Sequence, residues 1–288
     1  MRKVSKFITA IILTHNEELN ISRCINNVKK ITNKIVVIDS FSSDLTKKIC
    51  IANNVKFIQN KFINQGIQFN WALKNVKIST EWIIRIDADE LMTDNLINEI
   101  LNINYKNKFI NAFSINKRIY WMNRWIKYGG VYPMTITRIF RKGKAKYEEF
   151  TEEHLIVDGK IKQLAYDIIE DNKKNNLIFF TKKHITTGVG EMNEFFKNKN
   201  NASIPKKILG VKAERTRWLK IYLYNNVPLF LRCLLYFLYR YIFRLGFLDG
   251  RRGLVFHYLQ SFWYRFLIDS MIYEKQINSN FTNEKKKY

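Results

Sequence analysis

Cysteine, proline and glycine are all scarce in this chain of 288 residues, which contains three, three and eleven of them. The cysteines, Cys24, Cys50 and Cys233, are scattered and odd in number, which excludes a disulfide framework and indicates a reducing compartment. So few prolines and glycines exclude collagen-like and linker-rich architectures. No charge-free apolar run reaches the roughly 18 residues that a membrane-spanning helix needs.

Acidic residues are also few, since 49 Lys and Arg face 25 Asp and Glu and leave a net charge of +24. Such an excess predicts an anionic partner, for which nucleic acid, phosphorylated sugars and an acidic membrane are the candidates. Hydrophobic residues make up 47% and aromatic residues 15% of the chain, which excludes a disordered protein. The length suits one large domain or one domain with an appendage.

Strand and helix patterns alternate through the first hundred residues. Apolar runs at 8–14, 34–38, 55–58 and 82–86 predict strands, with helical patterns between them and a helix after Thr93. The run at 8–14 is too short for a secretory signal and lacks a small-residue cleavage site. Repeated β–α units predict an α/β fold with a parallel sheet, and the pattern turns more strand-like over 109–160.

The composition changes after Pro205. Residues 206–275 contain 13 Lys and Arg and 4 Asp and Glu, a net charge of +9, among dense Leu, Phe, Tyr and Trp. We therefore predict an α/β domain over 1–205 and a basic, aromatic, helical region over 206–288. At about 100° per residue, three arginines of residues 228–244 fall on one stripe of a helix. That stripe indicates a helix in an anionic membrane interface, although packing on the protein core with snorkelling arginines also fits.

Polar and acidic residues follow three of the predicted strands. In an open parallel sheet, ligands bind outside the carboxyl ends of the strands, so these side chains should converge at one edge. The residues in question are Thr14, Asn16 and Glu17 after the first strand, Asp39 and Ser40 after the second, and Asp87 and Asp89 after the fourth.

The Asp87-Ala88-Asp89 sequence is the sharpest of these features. Two carboxylates directly after an apolar strand can hold a hard divalent cation, whose other ligands are water and substrate phosphates. An acidic turn that caps the next helix is the alternative, and the expected proximity of Asp39 favours the metal. Asp39 is either a turn residue after the strand or an acceptor of hydrogen bonds from a ribose or a base. Glu17 could simply stabilise the start of the next helix, because a negative charge is favourable near a helix N-terminus.

Taken together, these residues resemble glycosyltransferase family 2, and within it the bacterial lipopolysaccharide-core β-glucosyltransferase-like group. The similarity extends over roughly 8–253 of the chain. The matching stretches are ITAIILTHNEELNISRCI, KIVVIDSFSSDLT, IQFNWAL, WIIRIDADE, NRWIKYGGVYP, RIFRKGKAKYEE, IVDGKI and GFLDGRRG.

The resemblance implies a GT-A fold, a Rossmann-like mixed sheet flanked by helices, and inverting hexose transfer from a nucleotide sugar, for which UDP is expected. It implies Mg²⁺ or Mn²⁺ as the cofactor, with Asp89 as its ligand. The implied nucleotide-sugar residues are Thr14, Asn16, Glu17, Asp39, Ser40, Gln68 and Asp87. Arg138 either binds a phosphate or is a surface strand arginine.

The resemblance also implies a Glu as catalytic base before the Val157-Asp158-Gly159 stretch. Glu153 matches that position, with Glu152 and Glu149 as alternatives. The chain departs from the family at Glu152, where the family has His, and at Phe69, where it usually has a basic residue. A family His-Tyr pair appears here as Ala165-Tyr166.

The expected partners are a nucleotide sugar, a glycolipid or lipopolysaccharide-core acceptor and an anionic membrane surface, with no nucleic acid. The expected location is the cytoplasm, peripheral on the inner face of the cytoplasmic membrane. Two other functions remain open from the residues alone. One is a sugar nucleotidyltransferase, although the sequence THNEE after the first strand is not its Gly-rich phosphate loop. The other is a basic membrane-binding or nucleic-acid-binding protein whose catalytic site has decayed.

Overall fold

The computed structural model describes residues 4–147, 155–200 and 224–284. Internal packing divides the chain into two units, one comprising 1–127 and 131–175 and the other comprising 128–130 and 176–288. The predicted domain boundary after residue 205 lies outside the described residues and stays a prediction.

The first unit contains strands and helices that alternate at first and then strands alone. The strands are β1 (Ile8–Thr14), β2 (Ile35–Asp39), β3 (Lys56–Gln59), β4 (Trp82–Asp87), β5 (Glu90–Met92), β6 (Ile110–Trp121), β7 (Arg124–Ile126), β8 (Met134–Arg141), β9 (Ala145–Tyr147), β10 (Leu155–Val157) and β11 (Lys160–Glu170). The helices are α1 (Ile21–Val28), α2 (Thr46–Ala52), α3 (Gln65–Asn75) and α4 (Asp94–Leu101). Thr93 caps α4 as predicted, because its side chain accepts a hydrogen bond from the N–H of Leu96.

A mixed sheet in the order β3-β2-β1-β4-β8-β6-β11-β5 forms the centre of this unit, and β7 pairs with β6. The first four strands of the sheet are parallel, and β8 is antiparallel to both β4 and β6. Strand β6 therefore runs in the same direction as β1, and β11 is parallel to β6. The carboxyl ends of β1, β2, β4, β6 and β11 consequently meet at one edge of the sheet, where ligands of such sheets bind.

Both faces of the sheet are covered, which explains why β1 is apolar along its whole length. Ile8, Ala10 and Ile12 pack into a core with α1 and α4, whereas Ile11 packs on the other face with α3. Successive side chains of a strand point to opposite faces, so a strand buried on both sides needs a continuous apolar run. The predicted α/β fold of the GT-A type, a mixed sheet with flanking helices, is confirmed.

The second unit is helical. Its elements are α5 (Leu177–Asn200), α6 (Leu231–Leu238), a π-helical turn (Tyr239–Phe243), a 3₁₀ turn (Gly246–Asp249), α7 (Gly250–His257), a second π-helical turn (Tyr258–Trp263) and α8 (Tyr264–Glu284). The 3₁₀ turn and Gly250, whose φ is positive, form the connection that leads into α7. A search of the described helices finds none with the length and hydropathy to cross a bilayer.

The predicted cationic stripe on residues 228–244 does not form as expected. Arg232 is 3% exposed and its guanidinium pairs with the buried carboxylate of Asp269. Arg240 donates from Nε to the carbonyl oxygen of Gly129 at 2.7 Å, so only Arg244 of the three is exposed. Hydrophobic periodicity contains no information about the distant acidic partner of Arg232.

The loop Tyr128–Gly130 packs within the helical unit against His257. The N–H of Gly129 donates to the carbonyl oxygen of Arg244 at 2.9 Å, and the N–H of Tyr128 donates to the carboxylate of Asp249 at 2.9 Å. Gly129 has a φ of +67°, and a Cβ there would lie 2.0 Å from Cε1 of His257. Only glycine fits this site, because a side chain would collide with the His257 ring and the φ is positive.

His257 should make the helical unit sensitive to acid. Its ring is wholly buried, its two nitrogens have no hydrogen-bond partner among the described residues, and Asp249 is 3.8 Å away, too far for a hydrogen bond. Burial and the nearby charge of Arg240 lower the pKa of His257 to about 4, from an ordinary value of 6.5. Below pH 6.5 His257 therefore binds a proton in the unfolded chain but stays neutral in the folded chain. The folded state consequently loses stability as the pH falls towards 4.

We expect this histidine to lower the free energy of unfolding by about 2 kcal/mol between pH 7 and pH 5. Urea unfolding of the wild type and of His257→Gln at both pH values measures the effect. The variant is less stable at pH 7 because it disturbs the packing, but it should lack the histidine's share of the acid loss. Equal losses in the two proteins would show that His257 is not the group responsible.

Candidate active site

The carboxylate of Asp39 joins the loops that follow β1 and β2. It accepts hydrogen bonds from the hydroxyl of Thr14 at 3.0 Å, the N–H of Ser42 at 2.8 Å and the amide of Gln59 at 3.2 Å, and the Ser42 hydroxyl also donates to it. Asp39 is wholly buried, and a buried carboxylate needs such donors. The predicted residues Thr14 and Asp39 are therefore in direct contact, and the carboxylate fixes the shape of both loops.

Asn16 and Glu17 continue the chain after β1 and are held by the β2 loop and by Lys174. The N–H of Asn16 donates to the hydroxyl of Ser42 at 2.8 Å, and its side-chain oxygen accepts from the N–H of Ser43 at 2.8 Å. Nζ of Lys174 donates to the backbone oxygen of Asn16 at 3.0 Å and to the carboxylate of Glu17 at 2.5 Å. Both predicted residues thus sit in a rigid loop with a cation beside it.

Ser40 and Gln68 meet on the other side of Asp39. Gln68 is 1% exposed, and its amide nitrogen donates to the hydroxyl of Ser40 at 3.2 Å and to the backbone oxygen of Asn60 at 3.2 Å. Its side-chain oxygen accepts from the side-chain amide of Asn60 at 2.6 Å. Gln68 therefore ties α3 to the ends of β2 and β3.

Asp87 lies at the end of β4 between two arginines. Nη2 of Arg138 donates to one carboxylate oxygen at 2.8 Å, and Nε of Arg85 donates to the other at 3.2 Å. Burial alone would raise the pKa of Asp87, but the charges of Arg138 and Arg85 hold it well below its usual range. Arg138 also donates to Glu90 and is 6% exposed. Its predicted contact with a phosphate stays a prediction, since here it pairs with two carboxylates.

Asp89 lies two residues further on and has the opposite electrostatics. Its side chain is partly exposed and accepts a hydrogen bond from the side-chain amide of Asn172 at 3.0 Å. Burial and the negative charges of nearby carboxylates, Glu170 foremost and then Asp87, raise the pKa of Asp89 to about 8. The ionised form is therefore costly unless a positive charge joins the site.

A divalent cation fits this donor set, because carboxylate oxygens are the ligands that Mg²⁺ and Mn²⁺ prefer and the site carries an excess of negative charge. Among the described residues, no three His, Cys, Asp or Glu side chains are grouped so as to enclose a metal ion. A cation at Asp89 would consequently take most of its ligands from water and a substrate, as Mg²⁺ usually does.

Four site residues on β6, on β11 and directly after β11 were not predicted from the sequence. Lys117 on β6 donates to Glu170 on β11 at 2.5 Å and lies 3.9 Å from Glu90. Asn172, just after β11, contacts Asp89, and Lys174 contacts Glu17. Glu170, Asn172 and Lys174 lie at or just after the carboxyl end of β11, where ligands of such sheets bind. They would have been predicted if the polar stretch after residue 160 had been recognised as containing a strand.

A chain of hydrogen bonds joins the two groups of predicted residues. The side-chain amide of Asn20 donates to Glu17 at 2.8 Å and to the side-chain oxygen of Asn172 at 3.0 Å. The amide of Asn172 in turn donates to Asp89. The residues predicted separately from β1 and β4 therefore belong to one connected polar network.

The residues predicted as catalytic base, Glu149, Glu152 and Glu153, lie outside the described residues. The chain approaches them through Tyr147, whose N–H and carbonyl oxygen form hydrogen bonds of 2.9 Å and 2.8 Å with the side chain of Asn70 on α3. Their role stays a prediction.

The departures from the family pattern have different settings. Phe69 is wholly buried, and its ring packs edge-on against Phe140 and Tyr147. The Cζ atom of Arg85 lies 5.6 Å from the centroid of that ring. A buried guanidinium thus occupies the neighbourhood of the position where the family usually has a basic residue. The N–H groups of Ala165 and Tyr166 both donate to the carboxylate of Glu99, away from this network.

Comparison with known families decides the assignment. The family model described as glycosyl transferase family 2 matches residues 9–177, more than half of the chain. The chain belongs to glycosyl transferase family 2. The chain is 36% identical over 100 residues to a protein of Rickettsia typhi named as an uncharacterized glycosyltransferase, and the match covers 35% of this chain and 32% of the relative. It is 27% identical over 218 residues to the glycosyltransferase SunS of a Bacillus subtilis prophage, covering 74% of this chain and 47% of SunS.

The matches thus span about a third of the rickettsial relative and about half of SunS. Among solved structures, a mannosyltransferase from Pyrobaculum calidifontis in complex with GDP-Man and Mn²⁺ is 13% identical to this chain. The similarity has a TM-score of 0.51 and covers 94% of this chain and 89% of the other. At that identity it shows the shared GT-A fold.

Proposed function

We propose that the protein transfers a hexose, with inversion, from a UDP-linked nucleotide sugar to a lipopolysaccharide-core or other glycolipid acceptor. The observation that carries this proposal is the pairing of Asp87 and Asp89. One carboxylate is kept ionised by two arginines, and its neighbour is poised for a cation at the edge where nucleotides bind. The proposed subgroup rests on the sequence resemblance.

The loops after β1 and β2 are proposed to hold the nucleotide. Thr14, Asn16, Glu17, Asp39, Ser40 and Gln68 are the residues assigned to it. Their mutual hydrogen bonds keep the loops in place before a ligand arrives, which lowers the entropic cost of binding. Asp87 is assigned to the ribose and donor sugar.

Asp89 is proposed to hold Mg²⁺ or Mn²⁺ together with the diphosphate of the donor. When bound, such a cation offsets the charge that develops on the departing diphosphate. The fold relative from Pyrobaculum calidifontis was crystallised with GDP-Man and Mn²⁺, which supports a metal in this fold. Arg138 and Arg85 keep Asp87 ionised, and Asn172 orients Asp89 through its amide.

The proposed reaction is one in-line displacement. The acceptor hydroxyl attacks the anomeric carbon while the bond from that carbon to the diphosphate oxygen breaks. The proton of the hydroxyl passes to a carboxylate, for which Glu153 is proposed, with Glu152 and Glu149 as the alternatives. The leaving group is the nucleoside diphosphate, and the anomeric configuration inverts.

Replacing Glu153 by Gln should lower the transfer rate about 10²- to 10⁴-fold, because the amide cannot accept the proton. The dissociation constant of the nucleotide sugar should stay close to that of the wild type. Glu152→Gln and Glu149→Gln are matched controls, since each removes one charge from the same segment. A full transfer rate in Glu153→Gln together with a loss in one of the controls would reassign the base.

One experiment tests the proposal as a whole. Thermal unfolding is measured with a panel of nucleotide sugars, with and without Mg²⁺ or Mn²⁺, because a ligand of the folded state raises the apparent stability. We expect a metal-dependent shift with a UDP-hexose, followed by nucleoside diphosphate release. Shifts with nucleoside triphosphates and sugar phosphates would indicate a nucleotidyltransferase instead. No shift with any nucleotide sugar would favour a binding protein with a decayed site.

The acceptor is proposed to be lipid-linked, and the enzyme to be peripheral on the inner face of the cytoplasmic membrane. The net charge of +24 favours an anionic membrane and phosphorylated glycolipid. Nucleic acid is not proposed as a partner, because only the charge suggests it.

A further inference from the structure

The segment from Tyr239 to Tyr258 exposes large apolar side chains and arginines side by side, and we name it the arginine-rimmed patch. Phe243 is 76% exposed, and seven other aliphatic or aromatic side chains of the segment, two of them tyrosines, are between 43% and 49% exposed. The apolar members are Ile242, Phe243, Leu245, Phe247, Leu248 and Leu254, and the basic members are the exposed Arg244, Arg251 and Arg252 and the half-buried Arg240. A soluble monomer rarely exposes so many large apolar groups together, so a partner surface is expected.

These side chains belong to one local structure. The π-helical turn Tyr239–Phe243, the 3₁₀ turn Gly246–Asp249 and α7 pack on one another. The ring of Tyr241 contacts that of Phe247, with 6.4 Å between centroids, and lies 6.2 Å from the ring of His257. The apolar groups are consequently mounted on a compact turn and are not spread along an extended chain.

The net charge of the patch is positive. Against four arginines it contains one acidic residue, Asp249, so the formal charge is four minus one, or +3. Asp249 is 3% exposed, and its carboxylate accepts a hydrogen bond from the N–H of Tyr128. Arg251 and Arg252 stand in the first turn of α7, which contains no acidic residue, at the end where the helix dipole is already positive. Nothing in the described part of α7 offsets these charges, which favours an anionic partner.

We infer that the arginine-rimmed patch lies in the interface of an anionic bilayer, with Phe243 and Phe247 among the acyl chains and the arginines at the phosphates. A second copy of the chain is a poorer occupant, because it would bring eight arginines together. The inference deepens the proposed lipid-linked acceptor by naming the surface that meets the membrane.

This surface differs from the one that the sequence predicts. The predicted stripe depends on Arg232, which is buried against Asp269 and cannot reach a phosphate. The patch is centred on the turn after α6 and extends into α7, where Arg251 and Arg252 are exposed.

Co-sedimentation of the full chain with vesicles tests the inference without any substrate. The vesicles contain phosphatidylethanolamine and phosphatidylglycerol, or phosphatidylcholine alone, at low salt and at 0.5 M salt. We expect binding to the anionic vesicles that weakens with salt. Arg251→Gln with Arg252→Gln should weaken it about 30-fold. Phe243→Ala with Phe247→Ala should weaken it about tenfold or more.

Matched controls lie in one loop of the first unit. Phe109 is 83% exposed, and Lys106 and Lys108 beside it are exposed as well. Phe109→Ala and the pair Lys106→Gln and Lys108→Gln should leave vesicle binding within about twofold of the wild type. Equal losses in control and patch variants would overturn the assignment of this surface.

Two further outcomes separate the inference from the proposed function. A wild-type protein that releases nucleoside diphosphate from a nucleotide sugar but ignores anionic vesicles would overturn the inference alone. Vesicle binding without any turnover would overturn the proposed function alone. If Phe243→Ala with Phe247→Ala converts a dimer into a monomer in light scattering and leaves vesicle binding intact, the occupant is a second copy.

Discussion

Asp89→Asn should lower metal-dependent turnover of the nucleotide sugar about 100-fold or more, because it removes the proposed ligand of the cation. The amide keeps the size of the side chain and can still contact Asn172, but it is a poor ligand for a divalent cation. Release of nucleoside diphosphate over a Mn²⁺ titration measures the effect. Unchanged metal-stimulated turnover would show that Asp89 does not hold the cation.

The same variant should be more stable than the wild type at pH 9 without metal. Burial and neighbouring carboxylates raise the pKa of Asp89 to about 8, from an ordinary value of 3.8, so the folded chain binds this proton more tightly than the unfolded chain. Stability is therefore lost as the pH rises from 3.8 through 8, and asparagine avoids that loss. Thermal unfolding at pH 9 and pH 5 measures it, and the advantage of the variant should shrink at pH 5.

Asp94→Asn is the control for both measurements. Asp94 is an exposed carboxylate on α4 that pairs with Lys30 at the surface. Removing it takes the same charge from the same unit, yet it should change turnover and the pH dependence of stability very little, because surface pairs contribute little. A variant at position 89 with low activity and low stability would indicate misfolding rather than loss of a metal ligand.

Gly129→Ala should destabilise the protein by about 3 kcal/mol or more, the largest stability effect expected from one methyl group. The added Cβ would meet the ring of His257 at 2.0 Å, and the φ of +67° is unfavourable for alanine. Both sides of the contact are fixed, since the loop is bonded to Arg244 and Asp249. Urea unfolding of the full chain measures the loss.

Gly143→Ala separates the backbone strain at a positive φ from the collision with the His257 ring. It has a φ of +78°, but nothing lies within 4 Å of a Cβ built there, so Gly143→Ala reports the backbone term alone, about 1 kcal/mol. Combining Gly129→Ala with His257→Ala opens space for the methyl group, and the double variant should lose less than the sum of the single losses. Additive losses would show that the ring of His257 is not the obstacle.

The sequence is informative where the local pattern and the global fold agree. The four strands predicted in the first hundred residues are present because β1, β2 and β4 are buried on both faces and must be continuously apolar. Once their direction is known, Asp39, Asp87 and Asp89 must lie at one edge. This part of the site therefore follows from periodicity and topology.

The remainder depends on pairing between distant residues, which periodicity does not describe. Lys117 reaches Glu170 across 53 residues of sequence, and Arg232 finds Asp269 across 37. Neither pair leaves a local signal in the sequence. A lysine or arginine is predicted to be exposed to solvent unless its buried acidic partner is already known. The polar sequence after residue 160 likewise hides β11, which is paired with β6 along one side for most of its length.

The contacts of Gly129 also bear on the order in which the chain can fold during synthesis. The loop Tyr128–Gly130 is bonded to Arg240 and Asp249, which lie 111 and 121 residues further along. Ribosomes add roughly 5–20 residues each second, so this loop waits several seconds or more for its partners. Because that interval follows translation of most of the mixed sheet, the glycine loop is among the last parts to close, and a chain shortened before residue 240 can never close it.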